Sequence, residues 1–149
     1  MLQQMYPQVP HNFRYELNKD FQFAAAHFVP HPDAGVCQRI HGHTYFVNIT
    51  IGGNHLDHTG FLINFKTLKD LIHKRFDHTV LNDDEAFNDL HPIFFATTEV
   101  VAQTIAEIVQ KHIDTYFTPF ADRPYVLQVF LRETPTSYVV YRPEATTWK

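Results

Sequence analysis

Two stretches of strict two-residue alternation constrain this chain more than any other feature. Between Phe13 and Phe28, the residues Phe21, Phe23, Ala25 and His27 share one face while Gln22, Ala24, Ala26 and Phe28 take the other. Between His41 and Gly52, the residues His41, His43, Tyr45, Val47, Ile49 and Ile51 alternate with Gly42, Thr44, Phe46, Asn48 and Thr50. An extended chain sends successive side chains to opposite sides, so both stretches read as long strands with one apolar face each. Pro30, Pro32 and Gly35 punctuate the loop between them, which carries Cys37, and Gly52-Gly53-Asn54 ends the second strand.

Downstream the period changes. Asn64 is placed to cap a helix in which Phe65, Leu68, Leu71, Ile72 and Phe76 recur at helical spacing, ending near Asp77-His78. The stretch from Leu81 to Pro92 has acids, Asn and little period, and reads as a loop. Thr97 or Thr98 caps a second helix, Glu99 complements its positive end, and Val101, Ile105, Ile108, Val109 and His112 carry it toward Phe117. From Tyr125 to Glu133 alternation returns, with Leu127, Val129, Leu131 and Glu133 on one face, and Ser137 to Tyr141 forms a short last strand. The order strand, strand, helix, helix, strand, strand predicts an α+β domain with an antiparallel hairpin at each end and two helices on one side of the sheet. Residues 1–12, rich in Gln and Pro, have no period and read as an N-terminal arm; residues 13–149 read as one domain.

Charge narrows the function. Twelve Lys and Arg stand against sixteen Asp and Glu, a net charge of -4, with no basic run beyond Lys74-Arg75, so nucleic acid is not an expected partner. No stretch approaches the ~18 consecutive apolar residues of a membrane span, which predicts a soluble chain without a membrane partner. The single cysteine cannot form an internal disulfide and the opening MLQQMYPQVP lacks the apolar core of a secretion signal, which together predict a cytoplasmic setting.

Eleven histidines are the compositional excess, and their positions matter more than their number. His41 and His43 lie two apart on a strand, on one face and ~6.6 Å apart at Cα, close enough for both rings to reach one cation at ~2.0–2.1 Å. A bare His-x-His is also an ordinary pair of half-exposed strand residues. His27, ending the apolar row of the preceding strand, shifts the balance, since an antiparallel partner can bring it beside the pair. Three imidazoles with a vacant fourth place describe a catalytic zinc site; with Cys37 as fourth ligand they describe a closed structural one. A lone cysteine can equally be a small buried hydrophobe, but Cys37 sits on a Pro/Gly-rich loop near the metal candidates, which favours a functional thiolate. Asp77-His78 could form a carboxylate–imidazole proton carrier, although taken alone the pair reads better as a histidine favoured by a helix C-terminus. Glu133 ends an apolar row and needs donors: Arg132 or Arg142 structurally, or a ligand with a guanidine-like edge giving two parallel N–H···O⁻ bonds. His11, His31, His55, His58, His73, His91 and His112 share no spacing and read as surface residues. The fourteen Phe and seven Tyr read as core.

The segments FAAAHF, CQRIHGHTY, FLINFKTLK, FDHTVLN, TTEVVAQTI and LRETPTSYVVY, six in order between Phe21 and Tyr141, resemble the 6-pyruvoyltetrahydropterin synthase family. They are most similar to its bacterial branch, which forms 6-carboxytetrahydropterin for queuosine. That resemblance implies a tunnelling fold: a four-stranded antiparallel sheet with two helices on one side, in subunits assembled around a central barrel, commonly as a homohexamer with sites at subunit interfaces. It implies zinc on His27, His41 and His43, Cys37 as catalytic base, Asp77 with His78 as proton relay, and Glu133 as the anchor of a pterin ring, with Thr97 and Thr98 touching that ring. The implied reaction converts 7,8-dihydroneopterin triphosphate to 6-carboxytetrahydropterin, acetaldehyde and triphosphate. Three other readings stay open: the pyruvoyl synthase reaction, a dihydroneopterin aldolase on the same fold, and a non-enzymatic protein with a structural zinc site.

Overall fold

The two alternating stretches form strands β1 (Tyr15–His27) and β2 (His41–Gly53), which pair antiparallel along their full length from Tyr15 opposite Gly53 to His27 opposite His41. The computed structural model describes residues 5–89, 95–145 and 148; His91, the end of the expected 81–92 loop and the first residues of the arm lie outside these. Helix α1 (Phe65–Phe76) follows, with Asn64 Oδ1 accepting from the Lys66 N–H at 2.9 Å. Next come β3 (Thr79–Val80), α2 (Glu85–Asp89) and α3 (Thr98–Tyr116), the last capped by Thr97 Oγ1 on the Val100 N–H. Strands β4 (Tyr125–Thr134) and β5 (Ser137–Tyr141) complete a sheet of order β3-β1-β2-β4-β5.

The four long strands are antiparallel as expected; the fifth, β3, is two residues long and runs parallel to β1. Its origin is local. His78 takes φ 62, and its N–H donates to the Ala24 carbonyl at 2.6 Å, turning the chain leaving α1 along the edge of β1. Two residues are too few to show a period. The same is true of α2, which occupies part of the expected loop: Asp84 Oδ1 accepts from the Ala86 N–H at 2.9 Å, Arg75 pairs with Asp84, and Ala86 and Phe87 are buried.

The core lies between one face of the sheet and helices α1 and α3. Phe23, Tyr45, Val47, Ile49 and Ile51 from the sheet meet Leu68, Ile72, Phe76, Val101, Ile105 and Val109 from the helices. One expected face assignment is overturned in β4. Thr50 pairs with Gln128 but Ile51 with Val126, so Leu127 is an extra residue; Val126 enters the main core and Leu127 turns to the other face, against Val9 and Tyr125. A bulge of this kind inverts the alternation for everything beyond it, which no periodicity within β4 alone reveals. The helix-free face is polar, with Asn48 donating to Asp20 at 2.8 Å and Thr50 to Asn18 at 2.7 Å. Residues of the expected arm lie against it: Tyr6 packs edge-on against Phe130, and Gln128 donates to the Pro7 carbonyl.

Phe23 joins this core to the strand ends, stacking on Tyr45 at 5.0 Å between centroids and tilting against Phe76 at 5.7 Å. Phe23→Ala is expected to cost ~3–5 kcal/mol of unfolding free energy, as large aromatic truncations in a close-packed core do. A loss below ~1 kcal/mol in denaturant unfolding would show that this ring does not tie the layers together.

Candidate active site

Register assembles the histidines. His27 pairs with His41 and Ala25 with His43, so all three imidazoles leave the helix-covered face at one end of the β1–β2 hairpin. Their ring centroids lie 4.5 Å (His27–His41), 5.1 Å (His27–His43) and 4.8 Å (His41–His43) apart. The neighbouring chain is pinned by Asn82, whose side chain accepts from the Phe28 N–H at 3.0 Å and donates to the Phe28 carbonyl at 2.9 Å.

Backbone carbonyls fix the tautomers. His27 Nδ1 donates to the Ala96 carbonyl at 2.6 Å and His41 Nδ1 to the Arg39 carbonyl at 2.7 Å. In a neutral ring the proton is then on Nδ1, and Nε2 carries a bare lone pair, the form that binds metal. The Nε2 atoms of His27 and His43 are buried and have no hydrogen-bond partner among the described residues. Burial holds the His43 pKa below its ordinary value, although the Glu133 carboxylate works against it; His27 and His41 push in the same direction as burial.

Glu133 joins this group through the end of β4. The pairing of β4 with β5 shifts between Arg132 and Thr134, leaving Glu133 without a cross-strand partner and its carboxylate among the histidines. Glu133 Oε1 lies 2.8 Å from His43 Nε2 and 3.3 Å from His27 Nε2, while Oε2 accepts from Thr98 Oγ1 at 2.7 Å. The two arginines considered as structural partners are engaged elsewhere: Arg132 donates to the Pro135 carbonyl and Arg142 to Gln128. His27, His41, His43 and Glu133 offer one donor atom each, all within 4.8 Å of one another. Convergent, unpartnered nitrogens beside a carboxylate fit a divalent metal ion. Cys37 is outside this group of four, which removes the basis for a closed site with Cys37 as a ligand.

Two further sequence candidates flank the cluster. Cys37 is exposed on a 3-10 turn (Pro32–Gln38), and its carbonyl accepts from the Val29 N–H at 2.8 Å, closing the loop. Asp77 caps α1; its Oδ1 accepts from the Ala24 N–H at 2.8 Å and its Oδ2 lies 2.9 Å from His78 Nδ1. The Ala24 N–H above all, with His78 and His73 beside it, holds the Asp77 carboxyl below the usual carboxylate range. His78 presents the rest of its ring outward, with its side chain 82% exposed.

Two residues escaped the sequence reading. His73 Nδ1 donates to the Gln22 carbonyl and its Nε2 is 3.6 Å from Asp77 Oδ2, a proximity that the i, i+4 spacing to Asp77 could have signalled. Tyr45 packs edge-on against His43 and His27, with its hydroxyl buried and unpartnered among the described residues; burial raises its pKa, and Glu133 adds to the effect. Its place two residues after His43 was the available signal.

Known proteins resemble this chain in sequence and in fold. The profile of the family described as 6-pyruvoyl tetrahydropterin synthase matches residues 16–144. A Bacillus subtilis protein named 6-carboxy-5,6,7,8-tetrahydropterin synthase is 54% identical over 144 residues, covering 97% of this chain and 96% of its own. A Haemophilus influenzae protein of the same name is 30% identical, over 86% of this chain and 99% of its own. In structure, the Caenorhabditis elegans 6-pyruvoyl tetrahydropterin synthase superposes with a TM-score of 0.63 at 21% identity, over 87% of this chain and 96% of its own, which speaks to the fold.

His43→Ala is expected to lower metal affinity by at least ~10-fold while leaving a cooperative unfolding transition, because the strands around the cluster are held by the core beneath it. Metal titration checks this. A full metal complement at unchanged affinity would remove His43 from the ligand set.

Proposed function

The chain belongs to the 6-pyruvoyl tetrahydropterin synthase family, and on that footing we propose that it is a zinc-dependent 6-carboxytetrahydropterin synthase. It converts 7,8-dihydroneopterin triphosphate and water to 6-carboxy-5,6,7,8-tetrahydropterin, acetaldehyde and triphosphate, as a cytoplasmic step toward queuosine. One observation carries the reading: His27, His41, His43 and Glu133 converge their donor atoms within 4.8 Å, in a chain 54% identical to a protein bearing that name.

Zinc held by His27, His41 and His43 would supply a Lewis acid for the vicinal side-chain oxygens of the substrate. The rest falls to the chain. Glu133 grips the guanidine-like edge of the pterin with two parallel charge-assisted bonds, and Thr98, already donating to its Oε2, keeps the carboxylate in place; Thr97 borders the same ring. Cys37, as thiolate, takes the proton from the side-chain carbon next to the ring. Asp77 orients His78 through Nδ1, so that Nε2 is the nitrogen that returns protons as the ring tautomerises. Elimination then releases triphosphate, and one water adds to the carbonyl formed next to the ring, so that carbon–carbon cleavage leaves the carboxylate there and releases acetaldehyde. Cys37 and the His78 ring are both exposed in the single chain, and a neighbouring subunit of a homohexamer would enclose them. Among the described residues no helix is long and apolar enough to cross a membrane.

Incubation with 7,8-dihydroneopterin triphosphate and mass analysis of the products tests the reaction: 6-carboxytetrahydropterin with acetaldehyde is expected, and a 6-pyruvoyl product would assign the chain to the sister reaction. Cys37→Ala should lower turnover by at least ~10²-fold, the usual scale of an acid–base group, with zinc still bound. Full activity in that variant would show that another group is the base.

A further inference from the structure

The edge of β1 carries a short series of bonds to the end of α1. The Gln22 carbonyl accepts from His73 Nδ1, the Ala24 N–H donates to Asp77 Oδ1 at 2.8 Å, and the Ala24 carbonyl accepts from the His78 N–H at 2.6 Å. Strand β3 continues the series by pairing with Ala25 and Ala26. His73 is its first member, one helical turn before Asp77, whose N–H donates to the His73 carbonyl at 2.9 Å. The second ring nitrogen of His73, Nε2, lies 3.6 Å from Asp77 Oδ2, the oxygen that is also 2.9 Å from His78 Nδ1. One carboxylate oxygen therefore faces two imidazoles, and the proposed reaction uses only one of them.

Both nitrogens of His73 face acceptors. A neutral ring has one N–H; with that proton on Nδ1 for the Gln22 carbonyl, the Nε2 lone pair would face the carboxylate, and only the doubly protonated ring answers both. The contact with Asp77 is too long for a hydrogen bond and acts as an ion pair. We infer that His73 is a positioning residue for the Asp77–His78 pair, drawing on Oδ2 from the helix side so that Asp77 orients His78 without holding its proton fast. This inference rests on the proton-relay reading given above. A carboxylate beside an imidazole favours the charged ring, and a second cation on the same oxygen opposes that effect. With His73 in place, His78 is the stronger acid toward the pterin; without it, His78 keeps its proton to a higher pH. The charged side chains acting on Asp77 are His78 and His73. Arg75, in the same last turn, is paired with Asp84, Lys74 is exposed, and Lys19 of β1 reaches over Phe65 at the far end of α1.

The two ring nitrogens are separable by substitution. Asn sets its amide near the place of Nδ1, keeping a donor for the Gln22 carbonyl and nothing at Nε2; Gln sets its amide near Nε2 as a neutral donor for Asp77. The test follows the His78 ring protons by NMR through a pH titration of the full chain at low ionic strength, where such pairs are least screened. In His73→Asn the His78 midpoint is expected ~0.5 pH unit above that of wild type, the scale of a partly exposed ion pair, with an unchanged unfolding midpoint. His73→Gln should fall between the two, and it carries the test if His73→Asn does not fold. With zinc and 7,8-dihydroneopterin triphosphate, His73→Asn should move the alkaline limb of kcat upward by the same ~0.5 pH unit and leave KM within about 2-fold. Equal His78 midpoints in wild type and His73→Asn, with or without a loss of stability, would overturn the inference and leave His73 a structural tie between α1 and β1. A raised midpoint with an unmoved limb of kcat would overturn the positioning role. A raised midpoint in a protein whose wild type forms no 6-carboxytetrahydropterin would overturn the proposed reaction and leave the coupling of His73 to His78 standing.

Discussion

The register between β1 and β2 is the constraint from which the rest follows. Pairing His27 with His41 places His43 opposite Ala25 and stacks Phe23 on Tyr45 beneath the three imidazoles. A slip by one residue would send His41 and His43 to the polar face and Val47, Ile49 and Ile51 with them. The register that buries the aliphatic rows is therefore the one that gathers the three histidines. Core and site are two ends of the same face, and the cost of misplacing the aliphatics protects the geometry of the histidines.

The cluster's chemistry depends on groups that carry no chemistry of their own. The Ala96 and Arg39 carbonyls take the Nδ1 protons of His27 and His41, which leaves Nε2 of each neutral ring with a lone pair able to bind a cation. Thr98, the first residue of α3, turns its hydroxyl onto Glu133 rather than onto its own helix. On the other side of β1, the Ala24 N–H and carbonyl hold Asp77 and the His78 backbone. Ala24 lies on an edge of the sheet that β3 covers only at Ala25 and Ala26, so its backbone groups are free to serve a side chain from α1. An open strand edge here is put to use by Asp77 and His78.

Most of the architecture was legible in the chain. Alternation marked β1, β2 and β5, Asn64 and Thr97 marked the starts of α1 and α3, and the grouping of His27, His41 and His43 followed from strand pairing alone. What was not legible shares one cause: it depends on partners distant in sequence or on too few residues to show a period. The two residues of β3 and the five of α2 are of the second kind. The inversion at Leu127 is of the first kind, because only pairing with β2 exposes the extra residue.

The sequence by itself determined the fold class, the three imidazoles on one face and the polar or reactive residues around them, since period two and helix capping are local rules acting on neighbouring residues. Tertiary structure alone decided where Glu133 points. Its row in the sequence suggested an apolar face and either an arginine or a guanidine-like ligand as partner, whereas the shift in β4–β5 pairing and the approach of Thr98 set its carboxylate against His27 and His43. The physical reason is that a carboxylate settles where donors and cations converge, and that convergence is made by β1, β2, β4 and α3 together, none of which specifies it alone.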